Sequence, residues 1–101
     1  MSASDELQNL YRVIKGACAP AQWKKGATLV RHGAIVRGET SADELEFRVT
    51  SRHGPLTLST SLYPLDGEWD CSCGQPMAVC EHVAACIRLV TGEVSVEGAP
   101  P

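Results

Sequence analysis

The sequence predicts an α+β fold: one or two N-terminal helices, a small antiparallel β-meander, then a cysteine–histidine knuckle and a C-terminal helix. Three observations predict it. Apolar residues recur at helical spacing at the start of the chain and again after residue 82. In the middle they alternate with polar residues, the period of a half-buried strand. Between the alternating region and the last helical one stand Cys71-Ser72-Cys73 and Cys80-Glu81-His82, two closely spaced pairs of metal-type donors.

The elements follow in order. Leu7, Leu10, Tyr11, Ile14, Ala17 and Cys18 share one helical face, which predicts a helix over residues 5–17. Ser4 is its expected N-cap, and Asp5 and Glu6 suit the positive end of the helix dipole. Ala19-Pro20 interrupts the pattern, and residues 21–32 read as a second short helix ending at Gly33, with Gly26 weakening its interior. Ala34–Glu39 reads as a first strand. Leu45, Phe47 and Val49 alternate with charged and hydroxyl residues, as do Leu56, Leu58, Thr60 and Leu62 with theirs. Ser51-Arg52-His53-Gly54-Pro55 between them has the chemistry of a hairpin loop. After Pro64-Leu65-Asp66-Gly67, residues 68–71 form a short fourth strand that leads into the first cysteine pair. Val83, Cys86, Ile87 and Val90 mark one face of the last helix, which stops at Gly92.

A chain of 101 residues has room for one modest core. The expected organisation is a single domain over residues 1–92, with the knuckle at about 66–91 and a flexible tail over 93–101. No apolar run approaches the roughly 20 residues of a membrane span. The polar, acidic start Met1–Glu6 lacks both the basic end and the apolar stretch of a secretory signal. Five cysteines is an odd number, so a disulfide framework is not expected, and the reducing cytoplasm is the expected setting.

Formal net charge is −3, but the distribution says more than the sum. Arg12, Lys15, Lys24, Lys25, Arg31 and Arg37 fall between Leu7 and Gly38 with no acidic residue among them. From Asp66 onward Arg88 stands alone against six carboxylates. Two readings are open: two solvated faces that attract each other weakly, or a basic surface that binds a partner. Trp23 beside Lys24 and Lys25 also reads two ways. An aromatic among cations can stack single-stranded bases, whereas a large indole in a small domain more often packs into the core.

Cys71, Cys73, Cys80 and His82 fill the four positions of a tetrahedral ion and leave none for a catalytic water. Mixed thiolate and imidazole donors favour Zn²⁺, one per chain. Cys71 and Cys73 at a strand end point to opposite faces unless the chain turns, and Gly74 follows at once. Cys80 and His82 are about 200° apart on a regular helix, so Cys80 must lie at or before the N-cap. The helix N-terminus there also favours a thiolate. Cys86, four residues after His82, fits the apolar face and reads as a core thiol, and Cys18 reads the same way. His32 suits a helix end and His53 a turn. Redox or nucleophilic chemistry needs one reactive cysteine and an orienting partner, and no such constellation is apparent.

Trp69-Asp70-Cys71-Ser72-Cys73 followed by Cys80-Glu81-His82-Val83-Ala84-Ala85 closely resembles the SWIM-type zinc finger, in which Cys-x-Cys, a spacer and Cys-x-His lead into an apolar helix. Upstream, Trp23, Gly26, Leu29-Val30-Arg31, Gly33 and Ile35 resemble the segment that precedes this finger in many bacterial proteins. The resemblance implies a zinc-organised ββα module with DNA- or protein-binding roles and no catalysis of its own. No Gly-x-x-x-x-Gly-Lys-Ser/Thr loop is present, so any ATPase would have to be a separate chain or a lost region. The expectation is therefore a non-enzymatic accessory module. It would bind DNA or RNA through Trp23, Lys24, Lys25, Arg31 and Arg37, with no membrane and no small-molecule substrate. Docking to a protein of a DNA-processing complex is the alternative, and a thiol-redox sensor the outsider.

Overall fold

The computed structural model describes residues 3–41, 43–50 and 57–96. The expected hairpin loop at 51–55, with His53, lies outside the described residues, as do residues 97–101.

Helix α1 spans Ala3–Ala17. Leu10 and Ile14, four apart, are fully buried, while Leu7 and Tyr11 pack against the core from its edge. The helix begins one residue before Ser4, so Ser4 belongs to its first turn rather than to the cap. Helix α2 spans Pro20–Arg31. Ala19 is extended and Pro20 opens the helix, where a missing N–H and a fixed φ cost nothing. The far end closes with Gly33 at φ +69°. Gly33 N–H donates to the Val30 carbonyl (3.0 Å) and Ala34 N–H to the Leu29 carbonyl (3.1 Å). These are the two bonds of a Schellman cap, and His32 occupies the C-cap as expected of a helix-end residue.

Strands β1 (Ile35–Thr40), β2 (Leu45–Thr50), β3 (Thr57–Tyr63) and β4 (Glu68–Cys71) form one antiparallel sheet in the order β1-β2-β3-β4. The period-two pattern sets the register. Phe47 pairs with Thr60 and Thr60 with Cys71, so these three share a row and a face. Val49–Leu58 and Leu45–Leu62–Trp69 form the neighbouring rows of the same face. Phe47, Val49, Thr60 and Leu62 are buried there. The opposite face carries Glu46, Arg48, Ser59, Ser61 and Asp70, and Ser61 donates to the Glu44 carboxylate at 2.8 Å.

Helix α3 (Glu81–Val90) lies between the helical pair and the sheet, packing on α2, α1, β3 and β4. That position explains five consecutive buried residues, Val83–Ile87, where a surface helix would bury only a stripe. Helix α3 approaches α2 closely at Gly26, which sits against Ala84 and Ala85. The glycine that weakens the helix in sequence terms is thus a contact site between helices.

The expected tail starts too early at residue 93. Arg88 pairs with Glu93 at 2.6 Å, Val94 N–H donates to the Arg88 carbonyl at 3.2 Å, and the Val94 side chain is buried. An apolar residue two positions past the helix stop supplies the reason, because the core still has surface to cover there.

Candidate metal centre

The sheet delivers the first donor pair. Cys71 ends β4 on the inner face, opposite Thr60, whose hydroxyl lies 3.3 Å from the Cys71 sulfur. Pairing continues one residue beyond the strand: Ser72 N–H donates to the Ser59 carbonyl, and Ser59 N–H to the Ser72 hydroxyl, both at 2.9 Å. This clamp holds the chain as it turns through Cys73 and Gly74, whose φ of +70° is the left-handed value that glycine adopts without strain. The return path is fixed on its other side. Trp69 Nε1–H donates to the Ala78 carbonyl at 2.8 Å, and Val79 is buried in the core.

The helix supplies the second pair. Cys80 is the N-cap of α3, with extended φ −87° and ψ 170°, and its carbonyl accepts from Ala84 N–H at 3.1 Å. His82 is in the first turn. Because Cys80 stands outside helical geometry, the rotation that would separate it from His82 does not apply. The sulfur atoms of Cys71, Cys73 and Cys80 and a ring nitrogen of His82 all lie within 4.8 Å of one another. Cys71 Sγ and His82 Nδ1 are 3.7 Å apart. Cys80 is buried and the other three are half-buried, so the cluster is shielded yet reachable from the surface. Such a set can hold a metal ion.

Within the cluster the ionisable groups shift one another. A hydrogen bond from Cys80 holds the Cys71 thiol well below the usual range, with His82 and Thr60 helping and burial opposing. Cys80 is pushed up, first by keeping its proton in that bond and then by burial. The helix N-terminus acts on Cys80 in the expected direction, through the Val83 N–H, but the bond to Cys71 and burial outweigh it. His82 is raised, chiefly by its contact with Cys71. A bound cation would override these shifts, since coordinated thiols give up their protons outright.

Cys86 is fully buried and Cys18 half-buried, and neither belongs to the four-donor set. The basic candidates are only partly brought together. Lys24 and Arg31 are exposed on α2 at helical spacing, and Lys25 lines a cavity of about 510 Å³ that it shares with His32, Glu81 and His82. Arg37 is exposed on β1, at the sheet edge. The Trp23 ring is occupied within the protein: Tyr11 meets it edge-on at 5.6 Å and the Arg88 guanidinium lies 4.6 Å from its centre. The packing reading of Trp23 is the one realised.

The contacts of four residues were not anticipated from the sequence. Thr60 interrupts an otherwise apolar inner face, and Arg88 is the lone cation of an acidic segment, so each carried a signal. Gln75 and Glu81, hydrogen-bonded to each other at 3.3 Å beside His82, carried none. Comparison with protein-family models, curated proteins and solved structures finds no match to the chain.

Proposed function

We propose that this chain is a non-catalytic zinc module whose metal is structural and whose basic helical face contacts nucleic acid. The observation that carries the reading is the convergence of three thiols and one imidazole within 4.8 Å at the junction of β4 and α3. Tetrahedral zinc at about 2.3 Å from sulfur and about 2.0 Å from nitrogen has donor–donor edges of about 3.6–3.8 Å. The 3.7 Å between Cys71 and His82 matches such an edge, and side-chain adjustment of about 1 Å draws in the widest pair. Four protein donors complete the coordination shell and leave no position for a reacting water. The resemblance to SWIM-type fingers supports the same reading.

For the partner, the support is electrostatic. Lys24, Lys25 and Arg31 project from α2, Arg12 and Lys15 are exposed on α1, and no carboxylate falls between Leu7 and Gly38. The indole that lies among these cations, Trp23, has its ring taken up by Tyr11 and Arg88 and is not free to stack bases. Contact with backbone phosphates is therefore favoured over base stacking.

Elemental analysis of the purified chain should find one zinc. Fluorescence polarisation with duplex and single-stranded DNA at 50 and 200 mM salt, concentrations of the order at which phosphate contacts are lost, tests the partner. Binding that weakens steeply with salt and with Lys24→Glu/Lys25→Glu is the expected result. Binding that is absent, or indifferent to salt, rejects nucleic acid and leaves protein docking as the use of this surface.

A further inference from the structure

The two nitrogens of His82 face different neighbours. Nδ1 lies 3.7 Å from Cys71 Sγ, while Nε2 points the other way and lies 4.0 Å from Glu81 Oε1. Glu81 Oε1 is also the acceptor for Gln75 Nε2–H at 3.3 Å. Gln75 follows Cys73 by two residues, so Glu81 touches the segments that carry both donor pairs. His82 and Glu81 are both largely covered, their side chains 12% and 22% exposed.

Resting on the zinc reading above, we infer that His82 binds the ion through Nδ1, and that Glu81 is its positioning residue, accepting a hydrogen bond from Nε2–H. The 3.7 Å separation is too long for a strong hydrogen bond but close to the ~3.6 Å edge between sulfur and nitrogen donors on one ion. An imidazole that gives its Nδ1 lone pair to a metal keeps its proton on Nε2. On a side chain only 12% exposed, that N–H is best satisfied by an acceptor within the protein. Glu81 is the carboxylate beside it, and a rotation that closes about 1 Å completes the bond. A carboxylate in that place fixes the ring's tautomer and orientation and raises its basicity toward the metal, as outer-shell partners of metal-bound histidines do. The link through Gln75 lets one side chain couple the turn after Cys73 to the start of α3.

Glu81 also lies in the first turn of α3, where a negative charge favours the helix whatever its effect on His82. Two substitutions separate these roles. Glu81→Gln removes the charge and keeps an acceptor, whereas Glu81→Ala removes both. The experiment uses the zinc-loaded full chain, ¹⁵N-labelled, with long-range ¹H–¹⁵N correlation spectra of the histidine rings and zinc affinity from chelator competition. The expected spectrum has a metal-bound Nδ1 and a protonated, slowly exchanging Nε2 on His82. Glu81→Ala should speed exchange of that proton and weaken zinc binding about 10–100-fold. Glu81→Gln should recover most of both. A metal-bound Nε2 overturns the ring assignment. Unchanged proton exchange in Glu81→Ala, or Glu81→Gln as impaired as Glu81→Ala, overturns the positioning role. A chain that takes up no zinc at all overturns the metal reading itself, which the metal content reports before any spectrum is recorded.

Discussion

At Gly26 the backbone of α2 meets α3 with no room for a side chain. A Cβ built there would stand 2.8 Å from the Ala85 nitrogen and 2.9 Å from the Ala84 Cβ, against helix backbone that cannot swing aside. Alanine is the better helix former by about 1 kcal/mol, yet overpacking of a closed contact costs roughly 1–3 kcal/mol. Gly26→Ala should therefore destabilise, whereas Gly16→Ala in α1, with nothing within 4 Å, should stabilise by roughly 0.5–1 kcal/mol. Urea denaturation of both variants checks the contrast, and two stabilised proteins would mean that the helices do not cross this closely. Cys86 poses a different question at the same scale. Its thiol is fully buried four residues from His82 but outside the donor set, so Cys86→Ala should retain one zinc per chain while Cys80→Ser loses it. Burial pushes the Cys86 pKa up from its ordinary 9.0, so the folded state keeps a proton that the unfolded state gives up. The resulting contribution is complete below pH 9.0 and is lost as pH rises beyond it. The four donor residues are common to both proteins, so their own titration cancels in the comparison. Stability measured from pH 8 to 10, a window that brackets the thiol range, should accordingly decline less in Cys86→Ala than in the wild type.

Elements were legible where one physical rule decided them. The alternation of Phe47 and Val49 with charged neighbours set the strand and its buried face together, because a one-residue slip would bury Glu46 and Arg48. The start of α3 at residue 81 followed from the requirement that Cys80 and His82 reach one point. What stayed illegible depends on contacts between distant segments. Helix propensity counts Gly26 as a defect, and only the crossing with α3 makes it an asset. Residues 93–94 are tied to the core by buried Val94 and by Arg88, which itself reaches across to α2. Its guanidinium stacks on Trp23, donates to the Trp23 carbonyl at 2.8 Å and pairs with Glu93, joining α2, α3 and the segment after α3. A largely desolvated cation–π contact is worth about 2 kcal/mol, and a charge-assisted hydrogen bond about 1.5–3 kcal/mol. Since these contacts share one group, Arg88→Ala should lower stability by roughly 2–4 kcal/mol in denaturant unfolding. Arg88→Lys should recover little, because an ammonium cannot stack flat and donate in two directions at once. Full rescue by lysine would reduce the cluster to a simple charge effect.

On the scale of the whole molecule, α3 is the layer through which the others meet. The helical pair packs on it from one side and strands β3 and β4 from the other, and direct contact between the pair and the sheet is slight. Both donor pairs lie at the N-terminal end of this middle layer, one at the end of β4 and one at the start of α3. Zinc binding to small fingers is worth an apparent ~10–16 kcal/mol at neutral pH. The net stability of a domain this size is about 5–15 kcal/mol, so the metal's share is comparable to the whole. Loss of zinc should consequently propagate beyond the knuckle. Amide hydrogen exchange followed after chelation is the measurement that separates local from global effects. Protection should collapse at Leu10 and Ile14 in α1 and at Phe47 and Val49 in β2, all buried yet distant in sequence from the ligands, together with the amides of α3. Loss confined to residues 68–90 would instead mean that the helical pair and the three-stranded remainder of the sheet stand without their middle layer. The packing argues against that outcome, since removing α3 exposes the inner face of the sheet and the buried side of α2 to water together.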